Sequence, residues 1–242
     1  MDEAIANALN TFQQETRTLH VITTKFRENL NWIPTMCSRL PNVRVSWFIF
    51  VKDQEEQNMD QVREYVQSMI FDKDDCNTQH IYVIDHRKNV GREGLAWSDY
   101  LFNTTMTNNG DVHLFVQGNM EISMEIAIKE VYDIIYQYTL PAHFKSFHVN
   151  CEDSSYKGSF AVEYDRIIVQ KLGLVNEFCT SHRGEFLTTL PLIHQFTLKY
   201  KSLFENDIIP DMQIGNDPPM GHVLERIWIV LFNKALSEIS TT

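Results

Sequence analysis

Four short apolar runs in this chain each lead into side chains able to hold an anion or move a proton. TLHVITT (18–24) brings Thr23, Thr24, Lys25, Arg27 and Glu28. VRVSWFIFV (43–51) is followed by Lys52 and Asp53, and HIYVID (80–85) closes on Asp85, with Asn89, Gly91, Arg92 and Glu93 just behind. DVHLFVQG (111–118) ends in Gln117, Gly118 and Asn119, with Glu121 next. Arginine and lysine bind phosphate oxygens through charge-assisted hydrogen bonds, and a guanidinium can make two at once. Glycine lets backbone approach a ligand closely, and amide side chains bond to hydroxyls. Gathered together, these residues are the chemistry of a phosphate-bearing ligand site. Taken one group at a time, they are also ordinary strand-end and turn chemistry, and Glu93 equally suits a helix N-terminus.

What would gather them is an alternation of strands and helices. The runs rich in branched and aromatic residues read as strands, 43–51 most strongly. A helix around Trp32 to Arg39 follows the first run. MDQVREYVQSMIF sets Met59, Val62, Val66, Met69 and Ile70 on one helical face. GLAWSDYLFNTT reads as a helix ending before the turn signal NNGD. MEIAIKEVYDIIYQY reads as a long amphipathic helix with Ile126, Val131, Ile134 and Ile135 on its buried side. Such alternation predicts an α/β fold, a mostly parallel central sheet flanked by helices. Ligands of open parallel sheets bind outside the carboxyl ends of the strands, near the point where strand order reverses. On that fold the four polar groups share one rim, and DKDD (72–75) falls at the opposite one. Beyond Pro141 the pattern loosens. SFHVN and GSFAVEYDRI are candidate strands, GHVLERIWIVLFNKAL a terminal helix, and ENDIIPDMQIGNDPPMG (205–221) the longest irregular stretch. No linker or repeat divides residues 1–242, so one domain is expected, with 1–17 as an N-terminal extension.

The totals exclude several classes. A formal charge of −11 argues against a nucleic-acid polymer or an anionic membrane as partner. The N-terminal stretch is polar and acidic, unlike a signal peptide, and no apolar run reaches the ~20 residues of a membrane span. Cys37, Cys76, Cys151 and Cys179 are far apart and form no C-x-x-C pair, which predicts free thiols, a reducing compartment and a soluble cytoplasmic protein. No zinc-binding histidine spacing, no G-x-S-x-G and no P-loop pattern occurs. Trp47, Trp97 and Trp228 stand in apolar contexts that predict core positions, whereas Trp32 lies nearer the rim.

FRENLNW (26–32), NVGREG (89–94), DVHLFVQGN (111–119), GSFAVEYDRI (158–167) and GHVLERIWIVLF (221–232) stand in an order that resembles a family of glycosyltransferase-like proteins. That family is known mainly from fungi, with relatives among bacterial and large-virus surface-glycan proteins. The resemblance spans about residues 18 to 233. It implies a GT-A-type fold and transfer of a sugar from a nucleotide diphosphate donor, such as a UDP-sugar, to a glycan or glycoprotein acceptor. The leaving diphosphate would then be stabilised by Arg92, backed by Lys52 and Arg27. The competing role for Arg92 is an ion pair with Glu93 or Asp99. Thr23 and Thr24 would meet the nucleoside, Asn89 and Gly91 the donor backbone-to-ligand, and Gln117 and Asn119 ribose or sugar hydroxyls. Candidate bases for the acceptor proton are Glu163, Asp165 and Glu225. Metal-dependent GT-A enzymes carry Asp-x-Asp after the fourth strand, and here Gln117-Gly118-Asn119 stands there. A Mn²⁺ or Mg²⁺ ion would depend on Asp85 or Glu121 with waters, since amides are poorer ligands for hard cations. A catalytically silent nucleotide- or glycan-binding module and a phosphate-ester hydrolase are the alternatives.

Overall fold

The apolar runs pair as neighbours. The structure, a computed structural model, describes residues 17–26, 28–52, 58–71, 77–86, 91–103, 110–120, 123–136, 142–150, 163, 165–173, 179–181, 183–215 and 217–239. Four parallel strands, β1 (Thr18–Lys25), β2 (Arg44–Val51), β3 (Thr78–Asp85) and β4 (Val112–Val116), lie in the order β3-β2-β1-β4. The sheet continues through β8 (Phe186–Thr189), antiparallel to β4, and ends at β5 (Phe144–Ser146), antiparallel to β8. A separate two-strand ladder joins β6 (Val149–Asn150) to β7 (Thr180–Ser181). Helices α1 (Trp32–Arg39), α2 (Met59–Phe71), α3 (Arg92–Asn103) and α4 (Met124–Ile135) follow β1 to β4 in turn. After β8 come α5 (Leu190–Leu203), a π-helical segment Phe204–Ile208, the short α6 (Ile209–Met212) and α7 (Pro219–Ile239).

Strand alternation divides the core between two faces. Leu19, Val21, Val45, Trp47, Ile49, Leu114 and Val116 face α1, α2 and α4. Ile22, Phe48, Phe50, Phe115 and Phe186 face α3, α5 and α7. Burial on both sides explains why the central strands read as nearly unbroken apolar runs; β2 is buried at every position after Arg44. The second face is aromatic: Phe196 stacks on Phe232 with centroids 4.3 Å apart, and Phe115 on Phe186 at 4.5 Å. The result is one α/β domain with a six-stranded, mixed but mostly parallel sheet flanked by helices. Among the described residues no helix is long and apolar enough to cross a membrane.

Four expectations need correction. Ile126 is 43 % exposed; the buried stripe of α4 runs through Ala127, Ile128, Val131, Ile134 and Ile135, and Ile126 lies off it. The stretch 205–221 is mostly helical, because Phe204, Ile208 and Met212 bury against the aromatic face and Pro210 stands at the start of α6, where a proline is tolerated. Asp165–Lys171, the tail of the expected strand GSFAVEYDRI, is π-helical, with Ile167 and Ile168 in the core. Cys37 and Cys179 are both disulfide-bonded, so the free-thiol reading fails for them. Distance along the chain says nothing of distance in space, and the reducing compartment inferred from free thiols loses its support. The 1–17 extension lies outside the described residues up to 16.

Candidate functional site

The chain reverses its strand order at β1, which is flanked by β2 on one side and β4 on the other. The residues leaving the carboxyl ends of these strands form an unbroken circuit. Lys52 N donates to the Lys25 carbonyl at 2.8 Å, and Lys52 Nζ donates to the carbonyl of Arg92. Arg92 pairs with Glu225 of α7 at 3.5 Å. Gly184, at φ +68°, lies so close to Glu225 that an added Cβ would stand 2.9 Å from the Glu225 carbonyl oxygen. Next to it, the Arg183 carbonyl accepts from Gln117 Nε2 at 3.0 Å. Gly118 closes the circuit, since a Cβ there would meet the Thr24 carbonyl oxygen at 2.8 Å.

On one side of the circuit Arg92 is the hub. Gly91 and Arg92 both take positive φ, +71° and +51°, so the turn from β3 into α3 is left-handed at two successive residues. A side chain at Gly91 would collide with Leu95, whose Cβ would stand 2.6 Å away. The turn delivers the Arg92 guanidinium to Asp217 at 2.9 Å, Glu225 at 3.5 Å, Glu93 at 3.8 Å and His222 Nε2 at 3.3 Å. Burial pushes the Lys52 ammonium down to about 8 against the pull of Glu93. Burial pushes the Glu93 carboxyl up, opposed by Arg92 and Lys52. Asp217 is held below the usual carboxylate range, because hydrogen bonds from Arg92 and His222 outweigh its partial burial. Asp99, the other expected partner of Arg92, bonds instead to His86 at 2.7 Å. The charge of Arg92 is thus already met by carboxylates.

On the other side lies a cluster the sequence reading missed. Glu185 is fully buried just before β8. Its carboxylate accepts from Gln117 N at 3.2 Å and from the Ser123 hydroxyl, and faces His148 Nε2 at 3.2 Å and Arg183 Nε at 3.4 Å. Arg183 also donates to Asn119 Oδ1 at 2.7 Å. Ser123 and Glu185 share the same ring nitrogen of His148, so the three do not form a Ser-His-Glu relay, which needs the acid on the opposite nitrogen. The available signal was HRGE (182–185), charges around a glycine before an apolar run, but FLTT is too short and too rich in threonine to read as a strand.

Of the residues singled out from sequence, Lys52, Gly91, Arg92, Gln117, Asn119 and Glu225 meet on this circuit. Thr23 and Thr24 are buried at its base, with the Thr23 hydroxyl turned to the Thr24 carbonyl at 3.5 Å. Asp85 is exposed at the end of β3, and Glu163 is half-buried. Arg27, Asn89 and Glu121, and the side chain of Asp165, lie outside the described residues. Trp47, Trp97 and Trp228 are core residues, whereas Trp32 donates from Nε1 to the Gly118 carbonyl at 2.8 Å and so ties α1 to the circuit. Comparison with models of protein families, with curated proteins and with solved structures gives no match.

Proposed function

We propose that the protein is a glycosyltransferase of GT-A type that moves a sugar from a nucleotide diphosphate donor to a glycan or glycoprotein acceptor. The observation that carries this reading is the charged circuit at the carboxyl ends of β1, β2 and β4, the place where parallel α/β sheets hold nucleotides. Breaking the anomeric bond puts charge on the leaving diphosphate, and preorganised cations in a site shielded from water lower that barrier. Arg183, Lys52 and Arg92 are cations on the circuit, Arg183 paired with Glu185 and Arg92 with Glu93, Asp217 and Glu225. Glu225, 18 % exposed beside Arg92, is the best positioned of the expected bases for an acceptor proton.

The donor set does not fit a Mn²⁺ or Mg²⁺ ion at the position of Asp-x-Asp. Asn119 Oδ1 already accepts from the Arg183 guanidinium, and the Gln117 amide is held in place through Nε2, which donates to the Arg183 carbonyl. A fixed positive charge on the amide oxygen opposes a second cation there. The Arg183 guanidinium supplies positive charge at that position instead.

A second reading, a catalytically silent nucleotide- or glycan-binding module, is favoured by the neutralised state of Arg92. Incubating the protein with UDP- and GDP-sugars and measuring released nucleoside diphosphate separates the two. Release that disappears in Arg183→Ala supports transfer. Tight nucleotide binding without release from any donor supports the silent module, and neither binding nor release contradicts both.

A further inference from the structure

We propose that Asp111, His20, Tyr100 and His113 form a proton-coupled switch, in which protonation of His20 turns the Tyr100 hydroxyl over and moves the ring hydrogen of His113 from one nitrogen to the other. The row lies near the amino ends of β1 and β4, away from the rim, and stands independently of the transferase reading. Parallel register sets His20 beside His113 with ring centroids 4.7 Å apart. Strand alternation puts both on the face of Ile22 and Phe115, under α3, α5 and α7. Asp111 Oδ1 accepts from Thr18 N at 3.1 Å, and its Oδ2 stands 3.2 Å from His20 Nε2. His20 Nδ1 and His113 Nδ1 each lie 2.9 Å from the Tyr100 hydroxyl. Phe48 stacks on His20 at 5.4 Å and meets Tyr100 edge-on at 4.8 Å, which holds the rings in this arrangement. His20 keeps 16 % of its side chain exposed, and His113 is fully buried.

A hydroxyl has one hydrogen, so Tyr100 donates to one imidazole and accepts from the other. Burial, with the Asp111 charge nearby, holds the Tyr100 phenol well above its ordinary 10, so that hydrogen stays on the oxygen. Burial holds His113 well below 6.5, so its ring keeps a single N–H. With His20 neutral, its Nε2–H donates to Asp111, its Nδ1 accepts from Tyr100, and His113 donates from Nδ1 to the phenol oxygen. When His20 gains a proton, its Nδ1 becomes a donor as well. The phenol oxygen then accepts from His20, and its own hydrogen turns to His113 Nδ1, which has to be bare. The hydrogen of His113 therefore sits on Nε2. The row has gained one proton, held by His20, and no heavy atom has moved. His113 Nε2 is buried without a hydrogen-bond partner among the described residues, so it passes from an idle acceptor to a stranded donor. The other titratable groups facing the row are Tyr82 of β3, stacked on Phe48 at 4.7 Å with His80 at 5.8 Å beyond it, and His194 of α5.

Imidazole nitrogen–proton correlation spectra of the full chain, recorded from about pH 8 to about pH 5, test the switch on wild type, Tyr100→Phe and His20→Gln. In wild type the hydrogen of His113 should leave Nδ1 for Nε2 at the same midpoint at which His20 gains its second hydrogen, with His113 neutral throughout. In Tyr100→Phe that coupling should be lost, so that His20 titrates and His113 does not follow. In His20→Gln, His113 should hold one tautomer across the range. Wild-type His113 that keeps its Nδ1 hydrogen while His20 titrates, or that changes at a different midpoint, overturns the inference. So do wild-type resonances that stay constant down to the pH at which the chain unfolds, and an exchange of tautomers that survives in either variant. Should Tyr100→Phe fail to fold, His20→Gln, at the exposed end of the row, supplies the same comparison.

Discussion

Burial at the rim gives Lys52 a proton that leaves near pH 8 rather than at its ordinary 10.5. Below pH 8 both folded and unfolded chains carry that proton, and the fold bears the cost of the buried charge. Between pH 8 and 10.5 the folded protein has released a proton that the unfolded chain retains, so stability rises with pH. The contribution is at most about 3 kcal/mol. Urea unfolding should show the stability difference between wild type and Lys52→Met growing in favour of wild type across that window; a flat difference would count against a buried, charged Lys52. Glu185 makes a prediction of opposite character, since its carboxylate is fully buried and fully engaged. Glu185→Ala removes the counter-charge of Arg183, which keeps only its bonds to Asn119, and leaves the Gln117 N–H without its acceptor, and should cost about 3–5 kcal/mol. A denaturation midpoint that hardly moves would show the cluster to be replaceable.

The turn from β3 into α3 carries its own test. Gly91 combines a left-handed backbone with a Cβ position blocked by Leu95, so Gly91→Ala should destabilise by about 1–3 kcal/mol. It should also release Arg92 from Asp217 and Glu225, seen as a lost contribution of Glu225→Gln to stability in the double variant. Additive effects of the two changes would contradict the coupling. Elements of this kind were legible where one face repeats. Trp32–Arg39 and Met59–Phe71 match the sequence reading because their apolar residues recur at helical spacing. The segment around 204–212 was not legible, because Glu205, Asp207, Pro210 and Asp211 resemble a loop while Phe204, Ile208 and Met212 are buried by residues far away in sequence. The same holds for the site. Strand ends could be read as one rim from alternation alone, but the partnership of Arg92 with Asp217 joins residues 125 positions apart, and only the packing of α7 against α3 creates it.

Across the whole molecule, the sheet separates a charged rim from a buried polar network toward its other end. There Asp111, His20, Tyr100 and His113 form a chain of contacts at 3.2, 2.9 and 2.9 Å. Complete burial, with His20 and His194 nearby, holds the His113 imidazole well below its ordinary 6.5. As pH falls through that value the unfolded chain takes a proton that folded His113 refuses, so stability falls with acid. His113→Gln should lessen the loss of stability between pH 7 and pH 5 (about two units around the ordinary histidine value), measured by urea unfolding; an unchanged loss would place the acid sensitivity elsewhere. If the protein is a transferase, a nucleotide diphosphate sits on the rim where strand order reverses. Hydrogen exchange of the intact chain, with and without saturating UDP or GDP, tests that most directly. Protection should appear around Lys25 and Trp32, in Gln117–Met120 and in Arg183–Glu185. Protection confined to the network around His20 and His113, or to the surface of α5, would contradict it.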